Sequence, residues 1–143
     1  MNLLVDISVW SLALRRDASV ADPEVHKLKD ALLGADVVVT TGLILQELLQ
    51  GFSGPKASAQ IIARFAALPL LQPDRKDHIA AAGLRNTCRR AGVQIGTVDA
   101  VLAQLCIRHD VVLLSTDNDF VLAAKHCPLR VWSPIPLRGK RDA

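Results

Sequence analysis

Leu3-Leu4-Val5-Asp6-Ile7-Ser8-Val9-Trp10 is the stretch that decides the fold of this 143-residue chain. Three apolar residues run into a charge, and apolar residues then return at helical spacing with Trp10, Ala13 and Leu14. This is a short buried strand passing into a helix that is predicted to span Ile7 through Arg16. Asp6 stands at the junction, with its backbone anchored in the strand.

The same unit recurs outward along the chain. Asp22-Pro23 opens a helix, since Asp can cap and Pro suits the first turn; Val25, Leu28, Leu32 and Leu33 line one face, and Gly34 stops it. Val37-Val38-Val39 is a β-branched strand, and Thr40-Thr41-Gly42 leads into the apolar segment Leu43 to Gly51, which carries Glu47. Gly54-Pro55 starts a helix with the stripe Ile61, Ile62, Phe65 and Leu68, and Leu70-Leu71 is a candidate short strand. Asp74 to Ala91 reads as a long helix with Ile79, Ala82 and Cys88 inward, Arg85, Arg89 and Arg90 outward, and Gly92 as its cap. Thr97 is predicted to cap a helix bearing Asp99, with Val98, Val101, Leu102, Leu105 and Cys106 apolar. Val111 to Leu114, a short helix and a last strand around Val131-Trp132 complete the domain.

Strands alternating with helices, without hairpin signals, predict a single α/β domain over residues 1–134. Its central, mostly parallel sheet of four to five strands is flanked by helices on both faces. Residues 135–143 read as a basic, flexible tail. One domain suits this length, and 50% hydrophobic against 22% charged residues argues against disorder. Apolar runs are too short to cross a membrane, and no signal peptide is indicated, so a cytoplasmic protein is expected. Cys88, Cys106 and Cys127 are an odd number with no CxxC pair, consistent with reduced thiols. Aromatic residues make up only 3%, with no Tyr, which excludes extensive base-stacking platforms. A formal charge of +3 is compatible with a phosphate-bearing partner.

Four acids, Asp6, Glu47, Asp99 and Asp117, each close or follow an apolar run. All but Asp6, whose backbone is anchored in a buried strand, have a structural alternative. Glu47 could pair on a helix face, Asp99 could favour a helix dipole, and Asp117 and Asp119 could be turn residues. None of these explains why the acids sit at the element ends that a parallel fold brings together, where ligands of such sheets bind. Glu47, one of only two Glu in the chain, has mostly apolar neighbours and is expected in a semi-buried pocket. Carboxylates roughly 5 Å apart repel by about 3 kcal/mol per pair at an effective dielectric near 20, so such a cluster calls for a cation. Oxygen ligands select Mg²⁺ or Mn²⁺.

Asp6-Ile7-Ser8-Val9-Trp10 after a strand, Glu47 in the third segment, Thr97-Val98-Asp99-Ala100 opening a helix, and Leu113 through Phe120 resemble, in that order, the PIN domain. The likeness is strongest to the VapC-type ribonuclease toxins of bacterial toxin–antitoxin pairs, and it runs to about Pro134. Ile7 is a departure, since the family commonly has Thr there; Ser8 keeps a hydroxyl nearby.

The resemblance implies metal-dependent endonucleolytic hydrolysis of RNA. Asp6 and Asp99 would be the principal Mg²⁺ or Mn²⁺ ligands, and Glu47 and Asp117 would complete the pocket. Ser8, Ser115 and Thr116 would fix the carboxylates by hydrogen bonds from behind, with Asp119 beside them. It also implies a homodimer and a cognate VapB-type antitoxin. Arg15, Arg16, Lys56, Arg64, Arg85, Arg89 and Arg90 are candidates for an RNA path, with Arg138, Lys140 and Arg141 adding nonspecific attraction. His26, His78, His109 and His126 lack metal spacing. Two alternatives stand beside this reading. One is a catalytically weak RNA-binding or scaffolding module. The other is a metal-dependent phosphatase, disfavoured because the first strand gives Asp-x-Ser rather than Asp-x-Asp.

Overall fold

Leu3, Leu4 and Val5 are each 0% exposed, although successive strand residues point to opposite faces of a sheet. Both faces of this strand are therefore covered, as parallel sheets require. The computed structural model describes residues 1–15 and 22–134. In chain order these form β1 (Asn2–Val5), α1 (Ile7–Leu14), α2 (Pro23–Leu33), β2 (Val37–Thr41), α3 (Gly42–Gly51), α4 (Pro55–Phe65), β3 (Leu70–Leu71), α5 (Arg75–Arg90), α6 (Thr97–His109), β4 (Val112–Leu114) and α7 (Asn118–Ala123). Arg16 and the expected tail lie outside the described residues.

The sheet order is β3-β2-β1-β4, with every pairing parallel. Val131 adds a parallel bridge to Leu113 where the last strand was expected. The chain moves from β1 outward to β2 and β3, then returns to lay β4 on β1's other side. β1 and β4 thus flank the point where strand order reverses, the crevice at which open α/β sheets bind ligands. Their last residues are in register, Val5 opposite Leu114. Whatever follows these two strands is forced to be adjacent.

Trp10 of α1 stacks at a tilt on Phe65 of α4, ring centroids 4.8 Å apart, joining helices distant in sequence. α6 is buried on two sides. Leu102, Ala103 and Cys106 join the main core, and Ala100, Val101 and Leu105 pack in a second cluster with Ala81 and Cys88 of α5. α5 and α6 are also clamped electrostatically. Asp74 and Asp77 form a reciprocal capping box at the start of α5. Buried Asp77 then takes Arg108 Nη2 at 2.8 Å and the Gln104 amide at 3.3 Å from α6. Burial pushes the Asp77 carboxyl up. The backbone N–H bond within the capping box, Gln104 and Arg108 together outweigh that and hold it below the usual range.

That clamp corrects the predicted phase of α5. Asp77, Ala81 and Cys88 face inward, whereas Ile79 is 67% exposed and Ala82 is also outside. The apolar pattern alone favoured Ile79, but the capping carboxylate and its Arg108 partner fix the helix rotation. Leu33 and Ile62, expected on the apolar faces of their helices, are exposed, as is Val98. In α2 the buried face is Val25, Leu28 and Ala31; in α4 it is Ile61 and Phe65. Gly96, not Thr97, occupies the cap position of α6, and Thr97 is its first helical residue. Gly92 ends α5 as expected: its φ of +81° is left-handed, and the turn lets Val93 N–H reach the Cys88 carbonyl at 2.8 Å.

Candidate active site

Asp6 leaves β1 with its N–H on the Leu114 carbonyl at 2.9 Å, which ties the end of β1 to the end of β4. It occupies the cap position of α1, yet its side chain makes no capping bond. An Asp at that position ordinarily contributes about 1 kcal/mol by capping. Here the 4%-exposed carboxylate is held by hydroxyls instead. Asp6 Oδ2 accepts from Ser115 Oγ at 2.8 Å and from Ser8 Oγ at 3.0 Å.

Those hydroxyls are themselves oriented by the main chain after β4. Thr116 N–H donates to Ser8 Oγ at 3.1 Å, and Asp117 N–H donates to Ser115 Oγ at 3.0 Å. Each serine therefore receives a backbone proton on one side and presents its own to Asp6 on the other. The result is a carboxylate whose rotamer is fixed from two segments, the start of α1 and the turn after β4. Thr116 contributes through its main-chain N–H, which orients Ser8. Asp117 caps α7, its Oδ1 accepting from Asp119 N–H at 2.9 Å. Asp119 itself is exposed, and Asp117 is half-buried.

Asp99 lies in the first turn of α6, half-buried. Its carboxyl is pushed up to about 6, first by burial and then by the negative charges of Asp6, Asp117, Glu47 and Asp119, in that order. All the acids singled out in the sequence thus converge on one field. The charges acting on Asp99 are all carboxylates. Of Asp6, Asp117 and Glu47, Glu47 acts on Asp99 least. It was expected in a semi-buried pocket and is exposed, because Ile44 and Leu48 form the inward face of α3 and Glu47 stands on that face's flank.

Among the described residues no group of three or more His, Cys, Asp or Glu side chains stands close enough to hold a metal ion as placed. The donor chemistry nevertheless fits a hard divalent cation: the groups are carboxylates, one is held rigidly by hydroxyls, and another holds its proton more tightly than usual because it is buried beside other negative charges.

The basic candidates are dispersed. Arg85 donates from Nε to the Ile95 carbonyl at 2.9 Å, fixing the loop before α6, and Arg89 and Arg90 bond within α5 to Asn86 and Thr87. Arg15, Lys56 and Arg64 are exposed, while Arg16, Arg138, Lys140 and Arg141 lie outside the described residues. His26, His78, His109 and His126 are all exposed. Sequence reasoning passed over Gln104 and Arg108, which hold the helix that presents Asp99. Their signal was the spacing of Asp74 and Asp77, a capping box with acids in both positions.

The sequence pattern of the PIN domain matches residues 3–126. A VapC ribonuclease of Mycobacterium bovis is 30% identical over 133 residues, covering 92% of this chain and 98% of that protein. Two solved structures share the fold. VapBC-1 from nontypeable Haemophilus influenzae has a TM-score of 0.67 at 18% identity, over 93% of this chain and 98% of that one. VapC20 of Mycobacterium tuberculosis, a sarcin–ricin-loop-cleaving toxin, has a TM-score of 0.62 at 20% identity, over 90% and 98%.

Proposed function

Since the chain belongs to the PIN domain family and, within it, to the VapC ribonucleases, we propose that it is an endoribonuclease toxin using Mg²⁺ or Mn²⁺ to hydrolyse RNA phosphodiester bonds. The observation that carries this reading is the Asp6 carboxylate held by Ser8 and Ser115 where β1 and β4 end, with half-buried Asp99 feeling the negative charges of Asp6, Asp117 and Glu47. Asp6 and Asp99 are the residues to hold the ion, with Asp117 and Glu47 completing its surroundings. A divalent ion bound there supplies positive charge at the phosphoryl oxygens and lowers the pKa of an attacking water. Ser8 and Ser115 keep the Asp6 carboxylate in one rotamer, so no reorganisation is needed when substrate arrives. Glu47, exposed at the rim, is free in solvent to orient that water.

The same reading implies neutralisation by a VapB-type antitoxin and assembly as a homodimer, as the VapBC complex among the fold neighbours suggests. No helix of the described residues is long and apolar enough to cross a membrane, and the three cysteines are free thiols. A cytoplasmic location follows from this reading, since both RNA and reduced thiols are found there. The domain proper is residues 1–134, followed by the basic tail.

The test compares purified protein with Asp6→Ala on a panel of cellular RNAs, with Mg²⁺ or Mn²⁺ and with EDTA. Wild type should produce discrete cuts that need the metal and vanish in the variant. Equal degradation by both proteins would sink the assignment. Intact RNA alongside rapid turnover of a small phosphate ester would point to a phosphatase instead.

A further inference from the structure

Beside the carboxylates, a cavity of about 770 Å³ runs from Thr116 and Asp117 along α7 to Arg130, Val131 and Trp132. Its size falls within the roughly 300–1,000 Å³ of pockets that enclose small ligands. One end of it is the acid-bearing loop itself. The lining of the cavity is of mixed character and also includes half-buried Trp132 and Val131 and the cations Lys125 and Arg130. Trp132 is carried on a rigid edge, its N–H on the Leu113 carbonyl at 2.8 Å. Arg130 is held by Asp110 at 2.7 Å, whereas exposed Lys125 has no recorded partner among the described residues. The carboxylates along the wall are Asp117 and Glu24.

A polyanion approaching four acids is repelled, so its phosphates need cations next to the site rather than within it. Lys125 is such a cation, in a cavity that shares residues with the acid loop. An indole face beside it offers the sequence-tolerant stacking surface that single-stranded bases use. Resting on the ribonuclease reading above, we propose that this cavity receives the nucleotide adjacent to the cleaved phosphate, with its base against Trp132 and its phosphate at Lys125. The scarcity of aromatics elsewhere makes this a one-base subsite, a setter of cut-site preference rather than an extended binding platform.

The chain has two Trp and no Tyr, and Trp10 is 1% exposed, so quenching by an added ligand reports on Trp132. A short single-stranded RNA of random sequence, titrated in EDTA, should quench wild-type emission and leave Trp132→Phe without that signal. Trp132→Ala should weaken its binding by roughly tenfold, with Trp132→Phe retaining most affinity. Lys125→Ala should weaken binding to all sequences and lower the salt slope by about one. With Mg²⁺ and cellular RNA, Trp132→Ala should raise KM and broaden the mapped cut sites. If wild type cleaves RNA but Trp132→Ala matches it in KM and cut sites and no quench is seen, the subsite is refuted while the ribonuclease assignment stands. If wild type neither binds nor cleaves RNA, both fall. Quenching by an antitoxin peptide and not by RNA would assign the cavity to that partner and overturn the proposal.

Discussion

Replacing Asp99 by Asn should make the metal-free protein more stable near neutral pH, although the substitution strikes the centre of the site. The carboxyl is pushed from 3.8 to about 6, by burial and then by Asp6, Asp117, Glu47 and Asp119. A raised value means that the folded protein holds this proton more tightly than the unfolded chain does. Below about pH 4 both states are protonated and the group costs nothing; between 3.8 and about 6 stability falls as pH rises; above that the cost is complete. Taken at face value the shift corresponds to about 3 kcal/mol, and partial solvent screening reduces it to about 1 kcal/mol. Asn has nearly the same shape and no charge. In EDTA near pH 7, Asp99→Asn should therefore melt about 3 °C above wild type, with the gain fading to zero near pH 4. Adding Mn²⁺ should reverse the order, because only wild type binds the ion well and is stabilised by it. Calorimetry or circular dichroism melts across that pH range are the assay. A variant that is less stable than wild type in EDTA at pH 7, or whose advantage persists unchanged at pH 4, would mean that Asp99 does not sit in the negative field described.

Ser115→Ala removes the 2.8 Å bond to Asp6 and the acceptor of Asp117 N–H; urea denaturation should register a loss of about 1–2 kcal/mol, and cleavage should slow by roughly 10- to 100-fold. Asp77→Ala breaks the α5–α6 clamp and should cost about 3 kcal/mol at neutral pH. Because the Asp77 carboxyl is held below its usual range, its contribution is present above the unfolded value of 3.8 and disappears as pH falls through the lower folded one. The gap between Asp77→Ala and wild type should accordingly narrow in strong acid, and an unchanged gap would argue that the loss is packing alone. Thr40 is fully buried in β2 with no partner for its hydroxyl among the described residues, so the isosteric Thr40→Val should gain up to about 1 kcal/mol in the same denaturation assay.

The fold was legible because its signals are local. Leu3 to Val5, Val37 to Val39 and Val111 to Leu114 are too short and too apolar to be anything but covered strands, and capping residues such as Asp22 and Asp74 mark where helices begin. Helix rotation was less legible. In α5 the apolar residues are few, and hydrophobicity pointed to Ile79, whereas the inward position is taken by a carboxylate whose partner, Arg108, lies 31 residues further on by the numbering. A buried ion pair leaves no trace in a hydropathy pattern until both ends are known.

The acids were legible for a different reason. A charge placed immediately after a buried strand has its backbone position dictated by the ladder, so Asp6 and the Ser115–Asp117 loop had to meet once β1 and β4 were neighbours. What the sequence left open was which groups would hold the carboxylate. Here the structure adds a physical argument. Asp6 stands where it would cap α1 and makes no capping bond, while two serines from different segments hold its Oδ2. A local stabilisation of about 1 kcal/mol has been given up for an orientation that helps nothing in α1. Such a departure from local consistency is what the proposed metal-holding role of Asp6 would require. Glu47 shows the contrast: it sits exposed on the flank of α3 and enters the site only through its charge, so its position was readable from sequence only as far as its helix.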